Sequence, residues 1–337
     1  MRSEKKDNKA KSNEAINVLL ILLFTLLLTV PLWLGHVAVS RFFIEDYESI
    51  SPARLLASIL IPILVATYGL RKNSLSISGA ILGFLVGFIL TLSSYLFFAC
   101  LLTFFITSSR ATKFRSEKKR KFEKDFKEGG QRNWLQVLCN SGMATQYALL
   151  YILDAGVGEY SIDFDTNYRA SWLAIGILSA FACCNGDTWA SELAPVLSNE
   201  NPRLITSWKK VPKGTNGGVT VAGLALSLVG GLAVGVAFYA ALVYTVDPIV
   251  LARSPPQWPC VLWAAFAGLF GSIVDSLLGA TLQFSGFESH TKMVVEHAGP
   301  GIKRISGRML LDNHSVNLLS SVITALVVPK LAHWFWP

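Results

Sequence analysis

Apolar runs of membrane-spanning length alternate with polar connections along nearly the whole chain. The first runs from Ile16 to about Val39 and the second from Ala53 to Leu70, where Arg71 and Lys72 end it. From Leu75 to Ser108 the chain is apolar for 34 residues. A single helix of that length would measure about 50 Å against a hydrocarbon core of about 30 Å, so the run divides best near Ser93 and Ser94 into two spans. Trp134 to Leu153, Tyr168 to Cys184, Val219 to Val246, Pro259 to Gln283 and Val316 to Trp336 follow. The pattern predicts an all-α fold, a polytopic integral membrane helical bundle with about nine transmembrane helices. A signal peptide has a shorter apolar core and a small-residue cleavage site, so the first run reads as an uncleaved helix. Residues 1–15, polar and Lys-rich, read as a disordered cytosolic N-terminus.

Composition agrees with this pattern. Of 337 residues, 52% are hydrophobic and only 15% charged, which excludes an ordinary soluble protein. The net charge of +8 would suggest nucleic acid in a soluble chain. Here the basic residues sit in connections between apolar runs and set orientation, so no nucleic-acid partner is expected. With nine spans, the N-terminus, Arg71/Lys72, the loop 110–133 and the polar regions 185–218 and 284–314 share one side. That side holds 25 of the 30 Lys and Arg residues and is therefore read as cytosolic. The N-terminal spans occupy 16–109 and a C-terminal, catalytic-like region occupies 134–337. The loop Arg110–Arg132 is read as a solvated topogenic segment that also touches anionic headgroups. Cys100, Cys139, Cys183, Cys184 and Cys260 show no CxxC pair and read as buried, reduced thiols.

Candidate chemistry gathers in the longest polar connection, Asn185 to Gly218. Asp187, Thr188 and Ser191 fall on one helical face and would present acceptor oxygens, unless Asp187 merely caps a helix. Further on, Lys209, Lys210 and Lys213 lead into Gly214, Thr215, Asn216, Gly217 and Gly218. Ammonium groups beside a glycine turn suit phosphate, since backbone N–H groups can approach a ligand closely there. The order is not GxxxxGK[ST], so this is no nucleotide-binding P-loop.

A third feature lies inside a span. Gly268, Gly271, Ser272, Asp275, Ser276 and Gly279 make one stripe of small and polar residues, the usual mark of close helix packing. Asp275 stands eight residues before Gln283, about 12 Å into the helix, where an ionisable group needs a partner or water. Asp312 precedes the last span as Asp187 follows an earlier one, so three acids near one membrane face could share a divalent cation. His290, Glu296 and His297 lack zinc-ligand spacing.

Four ordered blocks, GDTWASELAPVL, KKVPKGTNGGVTVAG, GSIVDSLLGATLQ and LLDNHSVNLLSS, resemble the transmembrane protein 19 family of DUF92-type membrane proteins. The resemblance runs from about Leu75 to the C-terminus. That family includes the plant phytyl-phosphate kinase, and the blocks are more distantly similar to dolichol kinase, phytol kinase and phosphatidate cytidylyltransferase, which use CTP and a divalent metal. The resemblance implies a kinase acting from a nucleoside triphosphate, CTP for preference, on an isoprenoid alcohol monophosphate such as phytyl or geranylgeranyl phosphate. Asp187, Asp275 and Asp312 would then hold Mg²⁺. Asp187, Asp275 and Lys213 would serve catalysis, and Thr188, Ser191, Lys209, Lys210, Gly214, Thr215, Gly217 and Gly218 would bind the nucleotide. The lipid tail would enter along the small-residue stripe of the Asp275 helix. Val274 replaces a glycine of the family's Asp block, and Asn313 and His314 stand where the cytidylyltransferases carry Arg and acids. A homodimer is compatible with this reading, and an endomembrane, ER-like location is the default. A small-solute or lipid transporter, or a non-catalytic multi-pass protein, would also account for the spans.

Overall fold

The computed structural model describes Gly35 and residues 50–115, 130–288, 290–291 and 293–337. The expected disordered segment 1–15, nearly all of the first span and most of the basic loop lie outside the described residues. The helices are α1 (Pro52–Arg71), α2 (Ile77–Ser93), α3 (Tyr95–Lys113), α4 (Trp134–Ala155), α5 (Tyr168–Leu197), α6 (Val221–Thr245), α7 (Pro248–Arg253), α8 (Pro259–Leu282) and α9 (Asn313–Phe335).

Each of the eight predicted spans that falls on described residues is a helix. The long apolar run breaks at Ser94, whose extended backbone (φ −162°, ψ 142°) closes α2 while its hydroxyl accepts from Leu96 N to start α3. Elsewhere the starts follow ordinary capping chemistry. Ser51, Ser76 and Thr220 cap α1, α2 and α6, and Asn133 with Gln136 forms a capping box on α4.

Five helices, α1, α3, α6, α8 and α9, are long and apolar enough to cross a membrane, so the count of nine spans is not established. The physical reason lies in what surrounds the others. Helix α5 packs against α3, α4, α6, α8 and α9 and is buried almost continuously from Ala170 to Gly186. A helix enclosed by protein needs small side chains rather than a lipid-facing apolar surface. Its Ala, Gly, Ser and Cys residues supply that, and the same holds in part for α4. Helix α2 has 17 residues because Ser94 ends it. Leu64, Leu85, Val236 and Leu262 are exposed on the outer helices, as a lipid-facing surface requires.

The all-α expectation also needs correction in the polar regions. Strands β1 (Arg203–Leu204) and β2 (Gly218–Val219) form a two-stranded antiparallel ladder. Strands β3 (Ser285–Glu288), β4 (Met293–Val295) and β5 (Ile302–Ser306) form an antiparallel sheet in the order β4-β3-β5. Polar connections this long satisfy their backbone N–H and C=O groups by pairing.

Contacts sort the described connections onto two ends of the bundle. At one end Lys113 Nζ donates to Lys72 O and Ser74 Oγ, Ser76 N donates to Arg132 O at 3.0 Å, and Asn216 N donates to Ser285 Oγ at 3.0 Å. At the other, Arg54 pairs with Glu159 at 2.5 Å and Ile162 N donates to Gln257 Oε1 at 2.7 Å.

Candidate functional site

Helix α5 continues to Leu197 instead of ending at Cys184, so Asn185 and Asp187 lie within a helix and Asp187 caps nothing. Asn185 is fully buried. Its Nδ2 donates to Gly230 O at 2.8 Å and its Oδ1 accepts from Thr107 Oγ1 at 2.8 Å, which ties α5 to α6 and α3. Beside it three helices touch backbone to backbone. A Cβ on Gly186 would sit 2.6 Å from Ser227 O and 2.8 Å from Gly268 Cα, and one on Gly231 would sit 2.3 Å from Ala264 O. Gly268 and Gly271 of the α8 stripe are thus used in close packing against α6 and α5.

This junction brings two carboxylates together. Asp187 Oδ1 accepts from Ser272 Oγ of α8 at 3.3 Å. One turn farther along α8, Asp275 Oδ2 accepts from Ser320 Oγ of α9 at 3.3 Å. With its amide nitrogen facing the surrounding acceptors, Asn317 donates to Asp275 Oδ2 at 3.1 Å and to Asn313 O at 3.2 Å. Ser272 and Asp275 stand one turn apart on α8, so the two carboxylates meet α8 on neighbouring turns. Their neighbours Ser272, Ser320 and Asn317 bring oxygen-bearing side chains, and the Cys183 thiol donates to Ser320 Oγ at 3.9 Å. Such a donor set suits a hard cation, and Mg²⁺ commonly takes one or two carboxylates and leaves its other positions to water and phosphate. Asp187 and Asp275 fit that role.

Asp312 does not join them. Among the described residues no three His, Cys, Asp or Glu side chains converge on a metal position. Asp312 instead caps α9, accepting from Ser315 N at 2.9 Å, and these hydrogen bonds hold its carboxyl below the usual carboxylate range. A carboxylate with a depressed folded-state pKa stabilises the fold at neutral pH. That contribution disappears as pH falls from the ordinary Asp value of about 3.9 through the folded value. Asp312→Ala is expected to lower stability by about 1 kcal/mol at pH 7. Asp312→Asn keeps a cap, so it should unfold with less acid sensitivity than wild type while retaining activity. Thermal unfolding at pH 7 and pH 3, beside an activity measurement, checks both.

The Lys and Gly turn is also put to structural use. Lys213 Nζ donates to Pro195 O at 2.9 Å and Ser198 O at 2.7 Å, closing the C-terminus of α5. The N–H groups of Thr215, Asn216 and Gly218 already bond to Pro212 O, Ser285 Oγ and Thr215 O. Gly214 occupies a turn at φ +85°. Gly217 needs its φ of +77° and its missing side chain, since a Cβ would lie 2.4 Å from Ala280 Cβ on α8. Lys209 and Lys210 point exposed side chains from the β1 side of this ladder. The hydroxyls of Thr188 and Ser191 donate to Cys184 O and Thr188 O within their own helix. The turn is thus a clamp between α5 and α8. Lys213→Met is expected to cost about 1 kcal/mol in thermal unfolding through loss of the cation at the helix C-terminus. Lys213→Arg should restore most of it.

Two residues with no role assigned from sequence complete this end. Arg132 donates to Ser108 Oγ at 2.9 Å and Ser109 Oγ at 3.3 Å and lies over the Phe104 ring at 5.3 Å. Burial lowers its pKa from the usual arginine value, and Glu192 of α5 opposes that shift. Glu192 lies on α5 five residues beyond Asp187. The spacing of Arg132 from a capping Asn133 was the available signal, masked by the charges of the basic loop.

No solved structure matches this chain. It is 44% identical over 274 residues to Protein PGR of Arabidopsis thaliana, an alignment covering 81% of this chain and 94% of that protein. An uncharacterized membrane protein of Methanocaldococcus jannaschii is 28% identical over 275 residues, covering 81% and 92%. One from Synechocystis is 31% identical over 131 residues, covering 39% and 46%. The model of the integral membrane protein family DUF92 matches residues 60–325, a span that runs from α1 into α9 and takes in Asp187, Asp275 and Arg132; the chain belongs to the DUF92 family of multi-pass integral membrane proteins.

Proposed function

We propose that this protein is a membrane phosphotransferase that moves the terminal phosphoryl group of a nucleoside triphosphate, CTP for preference, to an isoprenoid alcohol monophosphate. The observation that carries the reading is the pair Asp187 and Asp275, presented by α5 and α8 at a junction with no slack and steadied by Ser272, Ser320 and Asn317. Two carboxylates near the basic end of a helical bundle are costly to keep unless they hold a cation or a proton in the course of function. That end is assigned to the cytosol, where nucleotides are available, from its Lys and Arg content.

Phosphoryl transfer asks a protein for positioning and charge neutralisation more than for covalent chemistry. An oxygen of the lipid monophosphate attacks the γ-phosphorus. The bond from that phosphorus to the β,γ-bridging oxygen breaks, the nucleoside diphosphate leaves, and the lipid becomes a diphosphate. The acceptor oxygen is already ionised, so no general base is required. A bound Mg²⁺ would neutralise charge on the transferring group. Asp187 and Asp275 would hold that ion, and the rigid junction would fix their separation. Lys209 and Lys210, exposed beside β1, remain available to the nucleotide phosphates.

The test is a transfer assay with purified protein in lipid vesicles, offering labelled CTP or ATP with Mg²⁺ and farnesyl, geranylgeranyl or phytyl monophosphate. A lipid diphosphate as product supports the reading and names the donor. Absence of product with every pair, from protein shown to be folded, would overturn it.

A further inference from the structure

A cavity of about 580 Å³, mouth included, lies between α1, α2, α3 and α4, away from the packed stripe of α8. Its walls are apolar, with Val65, Val86 and Leu101 among them, and it extends along α3 from Phe98 to Phe105, about 10 Å at 1.5 Å per residue. Its polar lining, Arg132, Gln136, Asn140 and Ser141, runs down the α4 side, beginning with Arg132 at the end where α4 starts.

Arg132 is fixed from several directions. Its backbone N–H donates to Ser74 O at 3.0 Å and its carbonyl accepts from Ser76 N at 3.0 Å. Its guanidinium is held by two neutral hydroxyls and an aromatic face, and among the described residues it forms no ion pair. A cation fixed this firmly at one end of an apolar cavity suits a phosphate carried on an apolar chain, with Glu192 of α5 as the acidic group that already acts on it. The polar α4 side also touches the candidate site's helix, because Cys184 Sγ of α5 donates to Asn140 O at 3.3 Å.

We propose that this cavity binds the hydrocarbon chain of a single-chain lipid monophosphate and that Arg132 pairs with its phosphate. The inference rests on the isoprenoid phosphate reading for the choice of chain, and it gives that substrate a place. A lipid so held has its head at the basic end of the bundle, on the Glu192 side of Asp187. The tail then lies among α1–α4, where the cavity is, and not along α8.

Gly83 offers a clean probe. It lines the cavity, and a Cβ there would meet only Leu75 Cδ1 at 3.9 Å, so a larger side chain enters open space instead of the packed core. Binding is measured without nucleotide, using farnesyl monophosphate, farnesol and inorganic phosphate on wild type, Gly83→Phe, Arg132→Gln and Asp187→Asn, each checked by thermal unfolding. Farnesyl monophosphate is expected to bind wild type and Asp187→Asn alike, and to weaken by about tenfold or more in Arg132→Gln, as loss of a charge-assisted hydrogen bond implies. Gly83→Phe should weaken both farnesyl ligands while remaining folded. The proposal fails if Gly83→Phe binds both as wild type does. It also fails if inorganic phosphate competes as well as the lipid phosphate, which would mark a site for free phosphate. Lipid phosphate binding that depends on Arg132 and Gly83, with no transfer from any nucleotide, would leave the pocket standing and overturn the kinase reading alone.

Discussion

Asp187→Asn and Asp275→Asn are each expected to lower transfer by about 100-fold or more at saturating nucleotide, with little change in folding. Asparagine keeps the shape and one acceptor oxygen, so the contact from Ser272 to position 187 and from Ser320 to position 275 survives. What disappears is the charge that would hold a cation. The two carboxylates meet neighbouring turns of α8 at one junction and would hold one ion, so their losses should not add. The double variant is expected to be about as impaired as either single one. Rates measured on equal amounts of folded protein check this, and a double variant that turns over at the wild-type rate would sink the assignment.

The second large effect concerns the junction itself. Gly186→Val is expected to destabilise the protein by about 3 kcal/mol or more, because its Cβ would fall 2.6 Å from Ser227 O and 2.8 Å from Gly268 Cα. No side-chain rotation relieves a clash with backbone atoms of two other helices. Gly142→Ala on α4 supplies the contrast. Its Cβ would meet only Leu138 Cδ1 at 3.7 Å, so replacing a helical glycine there should be neutral or stabilising by up to about 1 kcal/mol. Thermal unfolding of the two variants in one detergent separates a packing effect from a general intolerance of glycine replacement. Equal stability in both would show that the three helices are not held as close as described.

Much of the helical frame was legible because membrane-length apolar runs and their breaks are strong local signals. The split at Ser94 followed from length alone, and the start of α4 sits where charge gives way to Asn133 and Trp134. The status of α5 as a span was harder to read, since a helix enclosed by other helices loses the lipid-facing residues by which spans are recognised. At the site, Asp187 and Asp275 could be singled out one by one as acids in apolar company. Their convergence depends on Gly186, Gly231 and Gly268 meeting across three helices, which no local pattern encodes. Lys213 and Asp312 looked like ligand residues for the reason that makes them good caps, namely charge at a helix terminus. Arg132 was hidden for the opposite reason, as one basic residue among ten between Arg110 and Arg132.

The enclosure of α5 bears on how the protein comes to be in the membrane at all. A helix whose surroundings are supplied by α3, α4, α6, α8 and α9 has little hold on lipid when it first emerges during synthesis, and three of these five neighbours are made after it. Helices α3 and α4 are already present and can shelter one flank. Asn185 carries a side-chain amide that finds Gly230 O only once α6 has arrived. The central post of the bundle is therefore completed by the chain that follows it, and the carboxylate pair comes into being at the end of assembly, when α8 and α9 close over α5.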